Sequence, residues 1–282
     1  MLVVKEVNDL KSLILKKKVE GKTIGFVPTM GALHAGHLSL VEQAGKQADF
    51  VVVSIFVNPT QFNDPNDLNR YPRNLQKDVD LLETTACSLV FAPEAETMYP
   101  APDTRRFHFG RLEEVMEGKY RPGHFNGVAQ VVSKLFGMVE PDKAFFGMKD
   151  FQQIAIVKAM IKMLNLQVEI VPCPIVREAG GLALSSRNER LTPGQRENAA
   201  HIYRTLREAG NKADQMNVKE LEDWVVKQID ANEYLKTEYF EIVDDENLQP
   251  VRSWDEPLNK VGCIAVFCGE VRLIDNIVFD LK

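Results

Sequence analysis

Residues 23–27 and 50–57 are apolar almost without interruption, and shorter apolar runs follow at 88–91, 144–146 and 168–171. A strand in the middle of a parallel sheet is covered on both faces, so it reads as a continuous apolar run and not as an alternation. The stretches between these runs have mainly helical pattern. The clearest is the one in which Val128, Val131, Val132, Leu135, Phe136 and Val139 fall on one helical face. Strand and helix in alternation predict right-handed βαβ units and an α/β fold, a Rossmann-like doubly wound parallel sheet over residues 1–175. From Thr192 the texture becomes helical and charged. Thr192, Pro193 and Gln195 supply an N-cap, a first-turn proline and a capping glutamine. Two later apolar runs, 262–268 and 271–274, meet at Gly269 and Glu270 like a hairpin. A smaller α+β C-terminal domain over residues 176–282 is expected.

Charge and cysteine content narrow the partners. The formal net charge is -6, which repels a phosphate backbone over most of the surface, so no nucleic acid is expected and any anion needs a local site. Residues 1–19 mix Lys5, Glu6, Asp9 and Lys11 among aliphatics and lack the apolar centre of a signal peptide. No apolar run approaches the roughly 20 residues of a membrane span. No membrane partner is expected, and the expected location is cytoplasmic. Cys87, Cys173, Cys263 and Cys268 have neither zinc nor redox spacing and read as buried thiols.

Four segments carry chemistry. Residues 28–37 follow the first long strand, and their glycines Gly31 and Gly36 let a backbone come close to a bound group. His34 and His37, three apart at a helix start, can donate to phosphoryl oxygens; as an isolated pair they would read as surface histidines. Asn58 and Gln61, beside Phe62, end the next strand and suit a small ligand with a carboxylate and hydroxyls, although Asn-Pro also makes an ordinary turn. Gly147, Met148, Lys149 and Asp150 follow a third strand. Capping explains Asp150, but a lysine opposes the dipole at a helix start unless an anion is near. The fourth segment offers Ser185, Ser186 and Arg187 as a polyphosphate grip, with Gly180 and Gly181 before it; Ser186 and Glu189 also have capping-box spacing. No Walker or kinase signature is found.

The histidine, small residue, glycine, histidine pattern after the first strand resembles the adenylyl-transferring superfamily. In order and nearly end to end, residues 28–37, 58–62, 121–127, 147–153, 182–188 and 272–276 resemble the pantoate-β-alanine ligase family. The resemblance implies a homodimer that uses ATP with magnesium, activates pantoate as an acyl-adenylate and joins it to β-alanine. It implies that Met30, Gly31, Ala32, Leu33, His34, Ala35, Gly36 and His37 bind ATP, with His37 as the usual proton-donor position. Gly147, Met148, Lys149, Asp150, Val176, Leu184, Ser185, Ser186 and Arg187 complete the nucleotide contacts. Gln61 matches a contact to pantoate and β-alanine, Gln153 a second pantoate contact, and Asp78 is a candidate for placing magnesium. Met148 stands where glutamate is common in the family, and Phe151 where tyrosine is. The competing expectations are a nucleotidylyltransferase, a truncated tRNA synthetase and a non-catalytic nucleotide sensor.

Overall fold

The computed structural model describes residues 1–63 and 65–280. Two compact units are present. The first comprises Met1–Phe109, Arg121–Met148 and Ile156–Pro174; the second comprises Gly110–Tyr120, Lys149–Ala155 and the chain from Ile175 onward.

The first unit holds a parallel six-stranded sheet: β1 (Leu2–Val4), β2 (Ile24–Thr29), β3 (Phe50–Ile55), β4 (Cys87–Phe91), β5 (Lys143–Gly147) and β6 (Glu169–Cys173), in the order β1-β4-β3-β2-β5-β6. Adjacent residues of β2 point to opposite faces. Val27 packs with Leu40, Val41 and Ala44 of the helix Ala35–Gly45. Phe26 meets Phe136 of the helix His124–Val139 edge-on, with ring centroids 6.2 Å apart. Helices thus cover both faces, which is why β2 is apolar from Ile24 to Val27. All six apolar positions that set the helical face between Val128 and Val139 are buried. Strand order reverses between β2 and β5, so a ligand crevice is expected at their carboxyl ends, where the segments after Thr29 and Gly147 begin.

The second unit is built on an antiparallel sheet, β7 (Leu235–Asp244), β8 (Lys260–Cys268) and β9 (Val271–Phe279). Gly269 makes the β8–β9 turn at φ +59°, a backbone angle glycine adopts without strain. On β8, Ile264, Val266 and Cys268 face Ile202, Leu206, Leu221, Val225 and Ile229, while Val261, Cys263 and Ala265 join Met116, Tyr239 and Val243. The hairpin is therefore longer than the sequence pattern suggests; β7 beside it, and β1 at the edge of the parallel sheet, are strands that the sequence pattern does not predict. Thr192 and Gln195 form the expected reciprocal cap of Pro193–Ala199. The protein is thus an α/β Rossmann-like chain with a small α+β part. All four cysteines are buried free thiols, and burial pushes Cys87 and Cys173 up to about 11, so they stay protonated and unreactive at neutral pH. No helix among the described residues is long and apolar enough to cross a membrane.

Candidate active site

The loop after β2 is fixed from below by one carboxylate. Gly31 and Ala32 both adopt left-handed backbone, φ +77° and +49°. Such a turn aims successive amides to one side, and Asp78 receives them: Ala32 N donates to Oδ2 at 2.9 Å and Leu33 N to Oδ1 at 2.7 Å. A Cβ at position 31 would lie 2.9 Å from Asp78 Oδ2, so glycine is required by space as well as by angle. Thr29 adds a tie, donating to Ser54 O at 2.7 Å and accepting from Gly31 N at 3.2 Å. Asp78 is 1% exposed. The carboxylate singled out as a magnesium contact thus has both oxygens engaged by loop amides. Beside it a cavity of about 460 Å³ is lined by Met30, Gly31, Val57, Arg73 and Asp78, among others.

The two imidazoles cap the helix that follows. Gly36 N donates to His34 Nδ1 at 3.1 Å, and His34 N donates to His37 Nδ1 at 3.3 Å. A capping box normally uses a hydroxyl and a carboxylate or amide; here two histidines fill both roles. The consequence is chemical. A ring nitrogen that accepts cannot carry a proton, so in each neutral ring the proton sits on Nε2, which becomes a donor. The rings lie 4.1 Å apart, tilted by 38°.

The turn after β3 is equally determined. Asn58, 1% exposed, donates through Nδ2 to Gln61 Oε1 and to Gly127 O, both at 3.2 Å. Its Oδ1 accepts from Tyr99 Oη at 2.7 Å. Asn58 therefore orients Gln61, whose Nε2 reaches Met30 Sδ at 3.1 Å. His124, in the 121–127 segment, hydrogen-bonds Gln61 O through Nδ1 at 2.9 Å and meets Arg121 Nη1 through Nε2 at 3.1 Å. A carbonyl only accepts and a guanidinium only donates, so His124 is the Nδ1–H tautomer. Sequence reasoning matched this segment to a family but gave it no task. It seats the Gln61 turn.

Gly127 lets the helix come close. A Cβ there would lie 2.4 Å from Thr60 O and 2.8 Å from Gln61 Cα. Backbone, not a flexible side chain, would have to give way. Gly127→Ala gains about 1 kcal/mol of helix propensity, but overpacking costs about 1–3 kcal/mol, so a small net loss of stability is expected. Displacement of Gln61 should raise KM for a small ligand held by its amide by about 10-fold, a loss within the roughly 10²-fold that a 1 Å misplacement can cost. An unchanged KM would mean that this close approach does not set Gln61.

In the second unit, Lys149 lies in a short 3-10 turn, Met148–Asp150, with Nζ 3.3 Å from Asp150 Oδ2. Of the paired glutamines that follow, Gln152 is 4% exposed and serves the backbone: it accepts from Glu117 N and donates to Leu112 O and Val115 O. Gln153 is half-buried. Val176 and Leu184 pair across a tight hairpin, Leu184 N donating to Val176 O at 3.0 Å, and Ser185, Ser186 and Arg187 follow it directly. The cap here differs from the expected one. Ser185, with φ -152°, is the N-cap of the 3-10 helix Ser186–Arg190 and accepts from Arg187 N at 3.3 Å. The helix starts one residue too early for Ser186 to cap it. Ser186 is buried within its first turn.

The family model of pantoate-β-alanine ligase matches residues 2–278. A pantothenate synthetase of Bacteroides thetaiotaomicron is 54% identical over 279 residues, 99% of either chain. One from Phocaeicola vulgatus is 55% identical over 280 residues, again 99% of either chain. The crystal structure of pantothenate synthetase from Thermus thermophilus superposes with a TM-score of 0.92 at 43% identity, covering 98% of this chain and 99% of that one. A pantoate-β-alanine ligase from Francisella tularensis, solved complexed with beta-gamma ATP and β-alanine, gives a TM-score of 0.83 at 36% identity over 100% of this chain and 99% of that one. By its sequence from end to end, and by its fold, this chain belongs to the pantoate-β-alanine ligase family.

Proposed function

We propose that the chain condenses pantoate with β-alanine at the expense of ATP, in two steps. A pantoate carboxylate oxygen attacks the α-phosphorus, the bond to the bridging oxygen breaks, and pyrophosphate leaves. The β-alanine amine then attacks the acyl carbonyl of pantoyl adenylate, expels AMP, and loses a proton to give pantothenate. The observation that carries this reading is the pair of capping imidazoles. Their Nδ1 atoms are spent on the backbone, so His34 and His37 present Nε2–H donors to phosphate oxygens, where charge grows as the α-phosphorus is attacked.

Loop residues 30–37 and Gly147, Met148, Lys149, Asp150, Val176 and Leu184 are assigned to the nucleotide. Lys149, Ser185, Ser186 and Arg187 are assigned to its phosphates, where an ammonium, two hydroxyls and a planar guanidinium suit anionic oxygens. Gln61, oriented by Asn58, and Gln153 are assigned to pantoate, and Gln61 also to β-alanine. Neutral amides suit both substrates better than fixed charges would: they accept from hydroxyls and amines and donate to carboxylates.

Among the described residues no three His, Cys, Asp or Glu side chains are grouped to hold a metal. A magnesium ion that travels on the triphosphate fits such a protein, since its ligands are then mostly phosphate oxygens and waters. It would neutralise the leaving pyrophosphate. We place the reaction in the cytoplasm, in keeping with four free thiols, and assign the working form as a homodimer, as the resemblance implies.

The pure protein, given ATP, magnesium, pantoate and β-alanine, should form pantothenate. Pyrophosphate release should require pantoate, and AMP release should require β-alanine. Pyrophosphate formed equally well without pantoate, with AMP moved onto a phosphate-bearing acceptor, would favour a nucleotidylyltransferase instead. ATP binding without turnover would leave a nucleotide sensor.

A further inference from the structure

Midway along β9, Asp275 and Asn276 stand side by side, each 5% exposed. Asp275 takes both arms of the Arg177 guanidinium, Oδ2 at 2.6 Å from Nη1 and Oδ1 at 2.9 Å from Nη2. Burial pushes the Asp275 carboxyl up, and the Arg177 guanidinium draws it back down. Arg177 belongs to the hairpin that leads into Ser185: it bridges to Ala183, its Nη1 donates to Gly181 O at 3.2 Å, and its guanidinium lies 3.7 Å above the Tyr203 ring. The hairpin tip presses on the same ring. A Cβ on Gly181, at φ +99°, would lie 2.6 Å from Tyr203 Cδ1.

Asn276 faces the other segment. Its Nδ2 donates to Lys149 O at 3.1 Å, and its own amide donates to Asp275 Oδ1 at 2.8 Å. Adjacent residues of one strand, whose Cα atoms are held about 3.8 Å apart by a trans peptide, thus tie down two segments far apart in sequence.

We infer that Asp275 and Asn276 are positioning residues for adenylation: they hold the Lys149 turn and the Arg177 hairpin at one fixed spacing, so that Lys149 and Ser185, Ser186 and Arg187 act on the same ligand. This rests on the assignment of those side chains to the phosphates of ATP. A pair that only filled the core would be needed alike for both half-reactions. A positioning pair matters most while pyrophosphate is being displaced, and it acts through Lys149.

The test uses the full-length protein. Asn276→Ala is made alone and in a Lys149→Ala background, with Asn276→Ser as a second variant and circular dichroism to check folding. Pyrophosphate release from ATP and pantoate reads the first half-reaction, and pantothenate from supplied pantoyl adenylate and β-alanine reads the second. Asn276→Ala should lower kcat/KM for ATP by about 10-fold in the otherwise unaltered chain and by under about 2-fold when Lys149 is already absent, because residues acting through one contact are not additive. The second half-reaction should change by less than about 3-fold, since positioning costs fall on the step that uses the contact. Losses that multiply in both backgrounds, losses equal in both half-reactions, or failure of both variants to fold would assign Asn276 to stability alone and overturn the inference. A wild-type protein that released no pyrophosphate with pantoate would overturn the proposed function itself, an outcome readable without any variant.

Discussion

His37→Ala should slow adenylation by roughly 10²- to 10³-fold, the loss typical of removing one transition-state donor, in a protein that still folds. Two tasks are assigned to His37, the cap that is observed and the proposed phosphate donor, and they must be separated. Its Nδ1 accepts from His34 N at 3.3 Å, and loss of a helix cap costs about 1 kcal/mol. A domain stable by about 5–15 kcal/mol survives that. The larger effect must come from Nε2, whose proton is fixed there because Nδ1 accepts. His37→Asn isolates the two tasks: a short amide can keep a backbone acceptor at the cap, but it has no donor at the Nε2 position. Single-turnover pyrophosphate release should be slow in both variants, while thermal stability recovers in His37→Asn. If His37→Asn turned over like the wild type, His37 would be a cap and nothing more.

The parts of the fold that the sequence discloses are those in which one residue pattern has one physical solution. The apolar runs at 23–27 and 50–57 are short enough to read as doubly covered strands, and the face from Val128 to Val139 is long and periodic enough to read as a buried helix. β1 was not legible because Leu2 and Val3 are largely exposed at the sheet edge, 53% and 44%, and three residues show no period. β7 was not legible either. Its burial is irregular and its register shifts between Thr237 and Tyr239, so alternation breaks inside the strand. At the candidate site, residue types suggest a chemistry but do not disclose the supports. Nothing local marks Asp78 as the acceptor for amides 45 and 46 residues earlier, or Asn276 as the partner of a carbonyl 127 residues away. Those contacts are made by folding, and only capping residues close in sequence, such as Thr192 with Gln195, could be read ahead of it.

Asp78→Asn should give the second large effect, and it also tests Asp78 as a magnesium contact. Ala32 at φ +49° is strained, by roughly 1–2 kcal/mol for a non-glycine residue in this region. Two charge-assisted hydrogen bonds of about 1.5–3 kcal/mol each outweigh that. Asp78→Asn keeps the shape of the side chain but turns one oxygen into an amide donor, which must face Ala32 N or Leu33 N. Donor then meets donor, one buried N–H loses its partner at a cost of about 1–3 kcal/mol, and the left-handed turn is free to relax. The imidazoles that begin two residues later move with it. A displacement near 1 Å at such groups costs about 10²-fold in rate, so adenylation should fall by that factor. Tm should drop by only a few degrees, about 2–4 °C per kcal/mol for domains of 150–250 residues. The same variant tests the other task considered for Asp78. A carboxylate that served mainly to hold magnesium would leave a defect that excess magnesium repairs, with Tm unchanged. A brace leaves one that no magnesium concentration restores, because what is lost is the path of the backbone between Gly31 and His34.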